Sequence, residues 1–102
     1  ATRPFIPTGI RVDASGNIFV LDISNMRLLK FDRNGNFLQQ IASPGTGDGQ
    51  VDSPQYLDID EFGDIYVTDN HMVFVQKFGP DGKFVYKFGS NGRIPGEFSF
   101  WE

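Results

Sequence analysis

Residues 7–22 read PTGIRVDASGNIFVLD, and residues 54–69 read PQYLDIDEFGDIYVTD. Laid over one another at a spacing of 47, they pair Pro7 with Pro54, Asp13 with Asp60, Gly16 with Gly63 and Ile18 with Ile65, then Val20 with Val67 and Asp22 with Asp69. The match continues without a gap. Lys30-Phe31, Gly35 and Phe37 meet Lys77-Phe78, Gly82 and Phe84, and Ser43, Gly45 and Gly49 meet Ser90, Gly92 and Gly96, giving 13 identities per 47-residue period. The chain is one unit of 102 residues built from two repeats, 7–53 and 54–100. A period of about 20–50 residues is the mark of stacked units, none of which buries its own faces alone.

Each repeat reads as four short strands joined by tight turns. In the first, the strands are Gly9–Asp13, Ile18–Leu21, Arg27–Phe31 and Phe37–Ile41, with Asn34-Gly35 as a two-residue hairpin signal. In the second they are Tyr56–Asp60, Ile65–Thr68, Val73–Phe78 and Phe84–Phe88, with Asp81-Gly82 as the matching turn. Segments 42–53 and 89–100 are long loops. Nowhere do apolar residues recur at helical spacing over a helical length. The chain is all-β. Phe19-Val20-Leu21, Leu28-Leu29 and Val73 to Val75 are apolar on consecutive positions, so both faces of their sheets are covered. A four-stranded meander packed between similar meanders is a propeller blade, expected at about 8–45 and 55–92. The predicted inter-blade core is Ile10, Val12, Ile18, Val20, Leu28, Phe31, Leu57, Ile59, Ile65, Val67, Val75 and Phe78.

Pro7-Thr8-Gly9-Ile10-Arg11-Val12-Asp13, Gly16-Asn17-Ile18-Phe19-Val20, and then Asp22, Asn25, Arg27 and Phe31 resemble the NHL repeat. The second copy keeps Pro54, Asp60, Gly63, Ile65-Tyr66-Val67, Asp69 and Phe78. It departs from the pattern at Tyr56, Met72 and Phe74, where Gly, Asn and Arg are the rule. The resemblance implies a six-bladed β-propeller, of which this chain supplies two blades. It implies little about activity, since such propellers include protein-binding and RNA-binding modules, sensor domains and a metal-dependent lyase. Fold alone does not choose among these.

Composition narrows the choice. The net charge is −4, and the imbalance sits in the second half, with four basic and eight acidic residues in 54–102. A nucleic-acid partner calls for a basic footprint, so none is expected. No apolar run reaches the length of a membrane span. With no cysteine there is neither a disulfide nor a thiolate metal site, and the compartment is left open.

Two blades alone would expose a sheet face at each end of the stack. About six large apolar side chains per face, at roughly 1.5–3 kcal/mol each, forgo about 10–18 kcal/mol, against a typical domain stability of about 5–15 kcal/mol. Neither repeat carries a polar capping face. The expected partner is therefore the chain itself, closing by rotation into a homotrimer of six blades. Phe5, Ile6, Phe98, Phe100 and Trp101, at the two ends of the sequence, are the predicted subunit-interface residues.

Candidate ligand or surface-binding residues are Asp22, Asn25, Arg27, Asn70 and His71, all at the turn between second and third strands. Asp22, Asp69, Asp13 and Asp60 also have a plainer role, since Asp caps turns by accepting from nearby backbone N–H groups. Arg27 is expected to pair with a neighbouring carboxylate. His71 is the only histidine; three copies would match the ligand count of a catalytic zinc site, but this turn lies away from the central channel. The glycine-rich stretch 43–52 lacks the Lys and helix start of a phosphate loop and the acidic spacing of an EF-hand. No cofactor and no metal are implied. The leading expectation is a non-catalytic scaffold or binding module that self-assembles into a ring. The alternatives are a metal-dependent lyase or hydrolase with a site on the ring axis, which Asp58 and Arg11 would face, and an RNA-binding module.

Overall fold

The computed structural model describes residues 7–70 and 74–89. They form two antiparallel meanders. The first comprises β1 (Pro7–Val12), β2 (Ile18–Asp22), β3 (Arg27–Phe31) and β4 (Phe37–Pro44), joined by a two-residue strand β5 (Gln50–Val51). The second comprises β6 (Pro54–Ile59), β7 (Ile65–Asp69), β8 (Phe74–Phe78) and β9 (Phe84–Phe88). Strand order in each sheet follows the sequence.

Sequence expectation and structure part at β5. It pairs in parallel with the end of β4, Ser43 with Gln50 and Pro44 with Val51, so the first sheet has five strands. A tight turn makes this possible: Gln50 N–H donates to the Gly47 carbonyl at 3.0 Å, while the Gln50 side chain accepts from Gly47 N–H at 2.9 Å.

Four of the hairpins, β1–β2, β3–β4, β6–β7 and β8–β9, share one turn. Asp13 N–H donates to Asn17 O and Gly16 N–H to Asp13 O, and the same pair of bonds recurs at 32–36, 60–64 and 79–83. Gly16, Gly35, Gly63 and Gly82 sit at φ of 83 to 87°, the left-handed region that glycine enters without steric cost. The loops at Gly35 and Gly82 are thus three-residue turns with a left-handed glycine, rather than the two-residue hairpins predicted. An aspartate opens three of the four. Asp32 Oδ1 accepts from Asn34 and Asn36 N–H at 2.9 Å each, and Asp13 and Asp60 do the same in their own loops.

The two sheets pack face to face. Phe19, Leu21, Leu28, Ala42 and Val51 from the first meet Leu57, Ile65, Val67 and Phe78 from the second, with Met26, Ile41, Ile59 and Phe84 at the margin. This corrects the predicted core. Leu28, Leu57, Ile65, Val67 and Phe78 lie in it and Ile59 borders it, but Ile10 and Val12 are exposed. Ile18, Phe31 and Val75 are half-buried, and Val20 is buried outside the cluster. Stacking explains the difference. When like blades stack, one face of the first meets the opposite face of the second, so equivalent positions cannot both enter one junction. Ile65 and Val67 line the junction, so their equivalents Ile18 and Val20 point the other way, and Phe19 and Leu21 take their place.

Candidate functional site

The β2–β3 turn is built around Asp22, which is fully buried. Its Oδ2 accepts from Arg27 Nε at 3.0 Å and from Asn25 Nδ2 at 2.9 Å, while Oδ1 accepts from Asn25 N–H at 3.4 Å. The Arg27 side chain remains partly exposed. The three candidate residues of the first repeat therefore form one knot, with the carboxylate inside and the cation at the rim.

The second repeat uses the same position differently. Asp69 is also fully buried, but Phe74 stands where Arg27 would be. Asp69 Oδ2 accepts from Asp52 N–H at 2.7 Å and from Ser53 N–H at 3.3 Å. Asn70 N–H donates to Ser53 O at 3.0 Å. This carboxylate ties the inter-blade connection to the end of β7. Asn70 also lines a hollow of about 260 Å³ with Gln55, Tyr56 and Thr68. His71 and the predicted interface residues Phe5, Ile6, Phe98, Phe100 and Trp101 lie outside the described residues.

The opposite end of the sheets carries the β1–β2 and β6–β7 turns. A hollow of about 300 Å³ runs between them, lined by residues that include Asp13, Asp60, Glu61 and Phe62. Asp13 and Asp60 have their oxygens engaged. Asp60 accepts from Phe62 and Asp64 N–H and, through Oδ2, from the Tyr66 hydroxyl at 3.0 Å. Desolvation pushes the Asp60 carboxyl up, but these bonds and the Lys77 charge outweigh it and hold it below its ordinary range. The bond to Asp60 raises the Tyr66 phenol in turn. Among the described residues, no group of three or more His, Asp or Glu is placed to hold a metal ion.

Two features escaped the sequence reading. Gln76 is buried, accepting from Gly49 N–H at 2.9 Å and donating through Nε2 to Gln50 O at 2.6 Å, so β8 grips the connection between blades. An isolated amide among the apolar residues of β8 was its only signal. The far face of the second sheet is aromatic. Lys77 Nζ lies 5.6 Å from the Tyr66 ring and 5.4 Å from the Tyr86 ring and pairs with Asp64 at 3.4 Å, beside exposed Tyr56 and Phe88.

A protein-family profile described as a 6-bladed beta-propeller matches residues 8–79. The chain belongs to this propeller family. Its blades resemble those of a putative exported protein from Bacteroides fragilis, with a TM-score of 0.74 at 25% identity over 97% of this chain and 28% of that one. They also superpose on a streptogramin B lyase, with a TM-score of 0.68 at 19% identity over 93% of this chain and 29% of the other. In sequence the chain is 34% identical to the protein brain tumor of Drosophila melanogaster, over 72% of this chain and 8% of that protein. It thus spans less than a third of each of these proteins. The lyase likeness carries the fold alone.

Proposed function

We propose that this propeller unit is a non-catalytic scaffold and binding module, whose two blades form one third of a six-bladed ring completed by two further copies. One comparison carries the reading. Ile10 is 58% exposed on β1, while Leu57, its equivalent on β6, is 3% exposed in the blade junction. The first sheet thus presents to solvent the face that the second sheet buries. Val12, Phe37 and the half-buried Ile18 and Phe31 extend this face. The far side of the second sheet, with Tyr56, Tyr86 and Phe88, corresponds in turn to the face the first sheet buries. Each end of the stack offers what the other lacks. The turn knot of Asp22, Asn25 and Arg27, together with Asn70, then lines one face of the ring and is the proposed binding surface.

The test is mass in solution by light scattering or native mass spectrometry. A trimer of the 11.4 kDa chain is expected at micromolar concentration. A folded, soluble monomer there would overturn self-assembly.

A further inference from the structure

We infer that assembly is keyed by a belt of alternating charge on the innermost strands, in which Asp58 of each copy also pairs with Arg11 of the next. This rests on the ring reading above. Within one chain, Arg11 on β1 approaches Asp58 on β6, with Nε 3.5 Å from Oδ1. The two positions differ by 47, the repeat period, so they are one blade position carrying opposite charges in the two repeats. Blades of the first and second kind alternate in a ring of identical copies. The charge at this position therefore alternates all the way round, and every junction, within or between copies, sets a cation against a carboxylate.

The atoms have room for a second partner. Asp58 accepts through Oδ1 from Ile59 N–H at 2.9 Å, and the side chain is 78% exposed. Its Oδ2 has no protein partner among the described residues. Arg11 donates through Nη1 to the Ile10 carbonyl at 2.8 Å and remains 53% exposed, so donors are left over. Each guanidinium can thus be flanked by two carboxylates, a geometry suited to the Arg fork. The new junction differs from the internal one beside this pair. Gly9 lets the Leu57 side chain come within 3.8 Å of where its own Cβ would be, whereas its equivalent across the new junction is Tyr56. A ring, not a close backbone approach, fills that spot.

The experiment uses the whole chain as wild type, Arg11→Asp, Asp58→Arg and the double exchange Arg11→Asp/Asp58→Arg, followed by native mass spectrometry and sedimentation across concentration and salt. An exposed pair contributes up to about 1 kcal/mol, roughly fivefold, and reversal replaces attraction by repulsion. Each single variant should therefore need at least about tenfold more protein to assemble at low ionic strength, and the gap should shrink near 1 M salt, where screening reaches about 3 Å. The double exchange should recover wild-type assembly.

Mixing the two single variants separates contacts between copies from those within one. The internal like-charge pair persists in both, yet heterotrimers should form at concentrations where neither variant assembles alone. A trimeric wild type whose single variants assemble equally well, or a mixture without preferred heterotrimers, would overturn the belt and leave the ring. A monomeric wild type would remove both.

Discussion

Asp32 and Asp60 show how much of this fold is held by short-range chemistry. Asp32 accepts from two backbone N–H groups and from Asn36 Nδ2 at 3.0 Å. Bonds from Asn36, side chain first and then backbone, hold its carboxyl below the ordinary value of 3.8. A depressed folded value means that the ionised form is favoured by folding. The stabilisation is complete above about pH 4 and is lost as pH falls through the lower folded value. Denaturant midpoints measured from pH 7 to 2 should therefore stay level to about pH 4 and then drop, and Asp32→Asn should lower the plateau while flattening the drop. The places of these turns were legible in the sequence because donor and acceptor lie within four residues, but the three-residue form of the turn at Asp32 was not. Gln76 was not, because its partners Gly49 and Gln50 are 27 and 26 residues away. In the core, Val67 is fully buried between the sheets. Val67→Ala should cost about 1–3 kcal/mol in chemical denaturation, through lost methyls and the cavity left behind.

Among the elements, the strands of both meanders came through from sequence with their described ends shifted by at most three residues, the largest shift at the end of β4, because each lies between turn signals. The buried face of each strand did not. Leu28 and Leu29, or Phe19 and Val20, are apolar on both sides, so alternation is silent about which side meets the neighbouring blade. Only the stacking order decides it. β5 was hidden for a different reason, since its two-residue parallel pairing depends on the turn at Gly47 and on the grip of Gln76. Gln76→Leu keeps the volume but strands the Gly49 N–H and the Gln50 carbonyl. A loss of about 1–3 kcal/mol per stranded group is expected by equilibrium unfolding. Gln39, whose Nε2 donates to the Asp81 carbonyl at 3.1 Å from an exposed strand, serves as a control and should cost less when changed to Ala.

For the whole molecule, the opposite parity of the two buried faces makes the stack directional. One end is aliphatic with Phe31 and Phe37; the other is rich in tyrosine, with Thr68 and Lys77 among the rings. The sequence suggested two equally apolar ends. In the structure, the second end is amphipathic, with tyrosine hydroxyls available at its surface, a chemistry common at protein interfaces. Two unlike ends disfavour a two-fold dimer, which would set each face against itself, and favour head-to-tail contact.

The order of strands in each sheet has a consequence in time as well as in space. Every antiparallel partner is the next strand along the chain, so each search during folding spans one short turn, and the entropy of closing it is small. The glycines already favour the required curvature in the open chain. Either meander can thus form first and serve as template for the other. Contacts between the sheets span more chain, as the Gln76 bonds to Gly49 and Gln50 across 27 and 26 residues show, and so carry the larger closure cost.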